Sequence, residues 1–361
     1  MKKRNMVALF LSIVMVFSLS ACGGKSPSST PSNNENQSAS VSEGSNQTTY
    51  KWKLSFNEVA EGLQGHYSRF FKDALNELSD GRIKLELFST GQLAEGVDQI
   101  EMAQSGMCEF VITDPGYLAT MIPTIGVLSL HYLQPQSLLE ADAVLTDSTI
   151  LDYFTPALEA QKLTLVDFMT ECYIDMTSKA PIETPENCKG LKMRTYASEI
   201  MQNAYQAYGF STITLPASEL YSALQLGMAD AQSNSLRSAH LNAWYEVQDY
   251  GIRAYHDMYT AIVVANAEFF SGLPSDIQDI IMEASVIASE KYHEVQGELD
   301  SKSLAALEEA GMNLIFFTEE QQKPFKELAE TVSHPQFIKK YGAEGQEIMD
   351  IYLAAKEKLG Y

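Results

Sequence analysis

Basic residues, cysteine and histidine are scarce in this chain of 361 residues. It carries 25 lysines and arginines against 47 aspartates and glutamates, which gives a formal net charge of −22 at pH 7. A surface so acidic repels phosphate and argues against nucleic acid as a partner. Four cysteines without a CxxC pair make neither a disulfide scaffold nor a redox or metal motif. The six histidines are scattered, so we expect no metal and no cofactor.

Signatures of common enzyme classes are also absent. The chain has no GxSxG elbow, no GxGxxG loop after a strand and no HExxH pair. The segment GGKS at Gly23 lacks the upstream glycine of a phosphate-binding loop and lies in a low-complexity stretch. We therefore expect a protein that is not an enzyme, although an enzyme remains an alternative.

Only one apolar run is long enough to interact with a membrane, and it lies at the N-terminus. The basic start MKKRN precedes about 15 apolar residues, which is short for a membrane span. The run ends in LSAC, and small residues before Cys22 resemble the signal of bacterial lipoproteins. The resemblance implies a signal peptide over residues 1–21 and a lipid on Cys22 that anchors the chain to the cell membrane. An ordinary secretory signal with an incidental cysteine is the alternative.

Residues 22–49 are rich in serine, asparagine and glycine and have almost no apolar side chains. Such a segment cannot bury enough surface to fold, so it predicts a flexible tether. The remaining part, about 310 residues, is enough for two domains of about 150 residues each. We expect an extracytoplasmic module tied to the outer face of the membrane.

Apolar periodicity predicts an α/β fold. Strand and helix patterns alternate from Lys51 to Asp114, which is typical of βαβ units. The alternation restarts near Leu163 and continues to about residue 235, so the chain has two α/β halves. After about residue 275 the pattern is mostly helical. We expect mixed sheets flanked by helices in both halves.

Five segments then show a family resemblance. In the order of the chain they are SDGRIKLELFSTGQL (Ser79–Leu93), APIETPENCKGLKMR (Ala180–Arg194), PASELYSALQLGMADAQSNS (Pro216–Ser235), EVQDYGIRAYH (Glu246–His256) and LPSDIQDIIMEAS (Leu273–Ser285). From Lys51 onward the chain resembles the substrate-binding proteins of TRAP (tripartite ATP-independent periplasmic) transporters.

The resemblance implies a two-domain fold of the periplasmic-binding-protein type II kind with a ligand cleft between the domains. It implies discontinuous domains, the first over 50–171 plus 260–299 and the second over 172–259 plus 300–361. The function it implies is a receptor, which we expect to be monomeric, that delivers a small carboxylate-bearing solute to an ion-gradient-driven TRAP permease. A receptor of the ABC class and a sensory ectodomain are the alternatives.

Arg194 is the central candidate for ligand contact. It ends the segment GLKMR, where the family's GLKIR arginine typically pairs with the ligand's carboxylate. A guanidinium matches a carboxylate with two parallel hydrogen bonds, and a closed cleft screens the pair poorly. The alternative is a surface arginine paired with a glutamate.

Further candidates follow from the aligned positions and from strand ends, where open α/β sheets bind ligands. They are Asn57, Glu95, Thr113, Asp114, Tyr117, Tyr173, Ser218, Ser233 and Asn234. A capping or structural role is the alternative for each. The acids Glu95 and Asp114 suggest hydroxyls or an amine beside the ligand's carboxylate.

The chain also departs from the family. A second arginine about twenty residues before the first is absent, and Tyr173 or Ile174 occupies its aligned position. Ser233 replaces the glutamate of the family's QEN motif. The resemblance therefore supports the architecture more than it identifies a ligand.

Overall fold

The computed structural model describes residues 48–196 and 198–361. The predicted signal peptide, Cys22 and nearly all of the predicted tether lie outside the described residues. Within the described chain, no helix combines the length and the apolar character needed to cross a bilayer.

The strands of the described chain form one mixed sheet in the order β2-β1-β3-β8-β4-β7-β5-β6, with β9 paired to β8. Their bounds are β1 Tyr50–Phe56, β2 Ile83–Phe88, β3 Phe110–Thr113, β4 Leu163–Ser178, β5 Lys192–Thr195, β6 Ser211–Thr214, β7 Ala231–Asn234, β8 Tyr250–Asn266 and β9 Asn313–Phe316. Strands β1, β2 and β3 pair in parallel, as do β5, β6 and β7, whereas β8 runs antiparallel to β3 and β4. The predicted α/β class with mixed pairing is confirmed.

Helices flank this sheet. They are α1 Leu63–Leu78, α2 Val97–Gln104, α3 Pro115–Leu118, α4 Leu138–Leu145, α5 Ser148–Ala160, α6 Pro185–Cys188, α7 Glu199–Tyr208, α8 Ala217–Gln225, α9 Leu236–Leu241, α10 Ala267–Ser271, α11 Ser275–Glu309, α12 Glu319–Leu328 and α13 His334–Leu359. Short 3-10 turns cover Pro123–Ser129 and Trp244–Glu246, and a π-helical turn over Ala329–Ser333 joins α12 to α13.

Side-chain alternation along the strands explains why helices cover both faces of the sheet. In β3, Val111 belongs to a cluster with α4, α5 and α13, while Phe110 and Ile112 belong to a cluster with α1 and α11. Successive residues of a strand point to opposite faces, so a strand with four buried residues needs two covering layers. A third cluster packs α7 and α12 against β5.

The two longest strands, β4 and β8, connect the halves of the sheet. Residues 163–170 of β4 pair with residues 260–266 of β8 beside β3, and residues 172–178 pair with residues 250–259 beside β7 and β9. The register of this pairing shifts at three places, and the middle shift, between Thr170 and Cys172, lies where the neighbouring strands change. Both strands therefore cross from one half of the sheet to the other at this irregularity.

A buried ion pair holds the crossing strands to α11. Arg253 of β8 donates from Nε and Nη2 to the two carboxylate oxygens of Asp175 in β4, each at 2.9 Å. Its Nη1 donates to Asp300 of α11 at 2.7 Å, and its guanidinium lies 4.6 Å from the Tyr173 ring centre. A planar guanidinium with this many donors suits a buried bidentate pair.

The C-terminal helices divide between the halves. Phe325 of α12 packs with the cluster around β5, whereas Phe337, Ile348 and Tyr352 of α13 pack with the cluster that contains β3, α4 and α5. The family resemblance implies that all of residues 300–361 belong to the second predicted domain, whereas α13 packs with elements of the first.

Candidate functional site

A cavity of about 520 Å³ lies where several strands end. Its walls come from the residues that follow β1, β3, β6 and β7, and from side chains of β4, β5 and β8. Strands β1 and β3 run toward the crossing of β4 and β8 from one half of the sheet, and β6 and β7 run toward it from the other half, in the opposite direction. The loops that follow these strands therefore meet at the crossing, and the carboxyl ends of strands are the usual location of ligands in open α/β sheets. The volume is within the common range for small-molecule sites, about 300–1,000 Å³.

Arg194 is buried in this wall, with 2% of its surface exposed. Strand β5 lies beside β6, and the guanidinium donates from Nε and Nη2 to the carbonyl oxygen of Leu215, at 2.9 and 2.5 Å. Among the described residues, no carboxylate oxygen lies within 4.0 Å of it. Burial lowers the pKa of Arg194 to about 10, so the group remains a cation at neutral pH.

Asp114 and three tyrosines form the side of the cavity next to Arg194. Asp114 caps α3 by accepting hydrogen bonds from the amides of Gly116 and Tyr117 at 2.8 and 3.3 Å. Burial raises the pKa of Asp114 to about 6, although these amides and the Tyr259 hydroxyl oppose the rise. Tyr117, Tyr196 and Tyr259 also line the cavity. This side therefore offers aromatic surface around a weakly acidic carboxyl group.

Asn57 and Asn234 reach the cavity from the ends of β1 and β7. The Asn57 side-chain oxygen accepts a hydrogen bond from the backbone amide of Gly96 at 3.3 Å, while the buried Nδ2 of Asn57 has no hydrogen-bond partner among the described residues. The Asn234 side-chain oxygen accepts one from the Ser235 amide at 2.8 Å. A buried amide nitrogen without a partner costs free energy, so a ligand acceptor at this position would be stabilising.

The cavity has a third wall that combines two acids with a second arginine. Glu58 follows β1, Glu171 lies in β4 and Arg237 lies in α9. Gln64 of α1 connects the acids, because its backbone amide donates to the Glu58 carboxylate at 2.9 Å and its side-chain Nε2 donates to the Glu171 carboxylate at 2.8 Å. Arg237 is buried, and its Nη2 donates to the Glu61 carbonyl oxygen at 2.8 Å.

The structure thus brings five of the predicted site residues to one cavity, and the others lie elsewhere. Arg194, Asn234, Asn57, Asp114 and Tyr117 line it. Their contact with a ligand stays a prediction.

Five predicted residues do not line the cavity. Glu95 is exposed and accepts from the Thr90 hydroxyl, and Ser218 is exposed in the first turn of α8. Thr113 is buried in β3. Ser233 accepts from the Tyr205 hydroxyl at 2.7 Å, and the Tyr173 hydroxyl donates to the Gln136 carbonyl oxygen at 3.0 Å.

Sequence reasoning did not find Glu58, Gln64, Glu171, Arg237 or Tyr259. Only Glu58 had a usable signal, because it directly follows Asn57 at the end of a predicted strand. Glu171 and Tyr259 lie inside long strands, and Arg237 lies on a short helix. Nothing in their local sequence indicates that the crossing of β4 and β8 places them at the cavity.

Comparisons with known proteins agree with this geometry. The profile of the bacterial extracellular solute-binding protein family 7, DctP, matches residues 54–340. The ectoine/5-hydroxyectoine-binding periplasmic protein UehA of Ruegeria pomeroyi is 31% identical over 301 residues, covering 82% of this chain and 88% of that protein. The ectoine-binding periplasmic protein TeaA of Halomonas elongata is 28% identical over 306 residues, covering 84% and 89%.

Solved structures give the same result. A TRAP periplasmic solute-binding protein from Marinobacter aquaeolei, in an apo open form, has 30% identity and a TM-score of 0.79, covering 84% of this chain and 99% of that one. The TeaA structure has 26% identity and a TM-score of 0.78, covering 85% and 99%. The chain therefore belongs to family 7 of the bacterial extracellular solute-binding proteins, the DctP-type solute receptors of TRAP transporters, which are not enzymes.

Proposed function

We propose that this protein is the lipid-anchored, extracytoplasmic receptor of a TRAP transporter. It binds a small carboxylate-bearing solute in the cavity around Arg194 and delivers it to an ion-gradient-driven permease. The observation that carries the proposal is Arg194 itself, a buried cation in a cavity wall without a carboxylate partner among the described residues.

The hydrogen bonds of Arg194 explain how it would select an acid. Its Nε and Nη2 hold the carbonyl oxygen of Leu215, which fixes the plane of the guanidinium before a ligand arrives. A fixed group loses little side-chain entropy on binding, and its remaining N–H donors suit a carboxylate. The unpaired buried charge is costly, so a ligand carboxylate would also remove a penalty that the empty receptor carries.

The acidic walls favour a solute with a positive group as well as a carboxylate. Asp114, Glu58 and Glu171 line the same cavity as the two arginines. Tyrosine faces attract cations, and Tyr117, Tyr196 and Tyr259 supply aromatic surface there. Two relatives are named for binding ectoine, which is the first compound to test.

The receptor cycle requires closure around the solute. Near Thr170 and Cys172 the neighbours of the paired strands β4 and β8 change from β3 to β7 and β9, which supports a boundary between two domains at this point, as the family resemblance implies near residues 171 and 260. The packing of α13 supports placing residues 337–355 with the first domain. A lipid on Cys22 would hold the receptor at the membrane surface beside the permease.

A thermal-shift screen tests the proposal. The library holds ectoine, other zwitterions, organic acids, sugar acids and neutral sugars, and each compound is added to the wild-type protein, Arg194→Ala, Arg194→Lys and Arg82→Ala. A compound that binds only the native state raises the melting temperature by mass action. We expect hits among carboxylates, a loss of about 100-fold or more in affinity in Arg194→Ala, and partial retention in Arg194→Lys.

Arg82→Ala is the control, because Arg82 bonds the carbonyl oxygen of Ser79 away from the cavity. Hits that Arg194→Ala retains in full would overturn the role given to this arginine. Hits confined to neutral sugars would overturn the proposal that the solute carries a carboxylate.

A further inference from the structure

The two acids of the third wall share one hydrogen-bond partner. Gln64 donates a hydrogen bond from its backbone amide to Glu58 and one from its side-chain Nε2 to Glu171. Its side-chain oxygen accepts a hydrogen bond from the backbone amide of Asn57 at 2.9 Å. Glu171 is 1% exposed and Glu58 is half-buried. One glutamine thus holds both carboxyl groups against the same part of the cavity.

Positive charge near the pair is limited. Arg237 lies on the same wall, but its Nη2 is used by the carbonyl oxygen of Glu61, and no ion pair within 4.0 Å joins it to either acid among the described residues. Other titratable groups near the pair are acids, a thiol and tyrosines, namely Asp114, Cys172, Tyr259, Tyr292 and Asp300. His66 of α1 lies near Arg237, and burial together with the charges of Arg69 and Arg237 lowers its pKa, which favours the neutral imidazole.

Two ionised carboxylates in such a place would repel each other. Burial first, and then the charge of Glu58, raise the pKa of Glu171 well above its ordinary value, against the lowering effects of Gln64 and Arg237. Burial raises the pKa of Glu58 as well. Like-charged carboxyl groups that share a site titrate as a pair, with one proton retained to higher pH.

We propose that Glu58 and Glu171 hold one proton between them in the empty cavity, and that a cationic group of the solute displaces this proton when it binds. The inference rests on the proposed function and names the site that recognises the positive end of the solute. The displaced proton passes to solvent, and the solute cation takes its place as the charge that offsets the second carboxylate.

Two consequences distinguish this arrangement from an acid pair that is always ionised. Proton and solute compete, so affinity rises with pH until the empty pair has lost its proton, and it levels off above that point. A solute with the same carboxylate but no positive group gains nothing from the pair, because it cannot replace the proton.

The ligand-free protein provides the first arm of the test. The melting temperatures of the wild type, Glu171→Gln, Glu58→Gln and the exposed control Glu159→Gln are measured from pH 4 to pH 9. A carboxyl group whose pKa is raised in the folded state makes the protein less stable as pH rises from the ordinary pKa of about 4.5 toward the pKa in the folded state. We expect the melting temperatures of Glu171→Gln and Glu58→Gln to rise relative to that of the wild type as pH rises. The melting temperature of Glu159→Gln should show no such trend relative to the wild type. Differences that are constant with pH in both variants would overturn the shared proton.

The second arm is isothermal titration calorimetry at pH 6 with ectoine and with every other zwitterion found in the screen, in buffers of low and high ionisation enthalpy. We expect the heat of binding to the wild type to differ between the two buffers in the direction that indicates proton release. The heat of binding to Glu171→Gln should be the same in both buffers. A solute that binds the wild type with equal heats in both buffers would overturn the displacement and leave the proposed function intact. Failure of every carboxylate to bind would overturn the proposed function, whereas the first arm would still report the proton.

Discussion

Asp257 offers a direct test of how burial controls the charges inside this fold. It lies in the middle of β8 and is 4% exposed. One carboxylate oxygen accepts the Met258 amide at 2.8 Å, and the other lies 4.0 Å from Nε2 of His131, too far for a hydrogen bond. Burial raises the pKa of Asp257 to about 8, and the Met258 amide offsets only part of this rise.

The magnitude follows from linkage. Between the ordinary pKa of 3.8 and pH 7, the unfolded chain has released this proton and the folded chain still holds it. Stability therefore falls as pH rises across this interval of about three units, at about 1.4 kcal/mol per unit, which gives about 4 kcal/mol in total. Asparagine has nearly the same shape and cannot ionise. We expect the unfolding free energy of Asp257→Asn, relative to the wild type, to increase by about 4 kcal/mol from pH 4 to pH 7 and to level off above about pH 8.

Urea unfolding at five pH values between 4 and 9 measures this difference. The neighbouring histidines His131 and His256, whose pKa values burial lowers, are present in both proteins, so their own titration largely cancels. Asp249→Asn, at an exposed position just before β8, is the control for removing a surface carboxylate. A difference between Asp257→Asn and the wild type that stays constant with pH would refute the reasoning, because a fixed offset reports only the exchange of one side chain for another.

Three substitutions test packing and polar contacts, each by urea unfolding at pH 7. Arg253→Met should cost about 3–5 kcal/mol, because Asp175 would remain buried without its cation, and an unchanged stability would contradict the importance of the pair. Gly65→Ala should cost about 1–3 kcal/mol although alanine favours helices, because the added methyl group would collide with the Ala60 carbonyl oxygen, and a more stable variant would show that this loop yields. Tyr205→Phe should cost about 1–3 kcal/mol by leaving two buried hydrogen-bond partners of its hydroxyl unsatisfied, whereas a neutral result would mean that water replaces it.

Local periodicity predicted the helices and the short strands better than the long strands. The pattern around Lys51–Phe56 and the helix that follows it match β1 and α1 closely. The apolar strand pattern LTLVDFM, however, runs only from Leu163 to Met169, whereas β4 continues to Ser178. The length of a buried strand is hard to predict from apolar residues alone. Glu171 and Asp175 interrupt the apolar run, and they fit inside β4 only because partners distant in sequence, Gln64 and Arg253, bind their carboxylates.

The same reasoning explains which site residues the sequence revealed. Asn57 and Asp114 follow β1 and β3, which are parallel, so this position alone brings them to one edge. Asn234 ends β7, which runs in the opposite direction, and it faces them across the crossing of β4 and β8. Glu171 is 113 positions beyond Glu58, and their common partner Gln64 contacts both only because α1 packs beside β4 in the finished fold. Pairs of this kind depend on topology, which a pattern of local periodicity does not contain.

The second arginine of the family is missing from its usual position, and a different element supplies the second positive charge of the cavity. Its expected position corresponds to Tyr173 or Ile174, and the Tyr173 ring here faces Arg253, whose charge is used by Asp175 and Asp300. The second cation of the cavity is instead Arg237 of α9, which lies near Glu58 and Glu171. An arginine beside two acids that share one proton is largely neutralised by the remaining negative charge, so it would attract a second carboxylate only weakly. We therefore expect the proposed receptor to prefer a solute with one carboxylate, paired with Arg194, over a dicarboxylate.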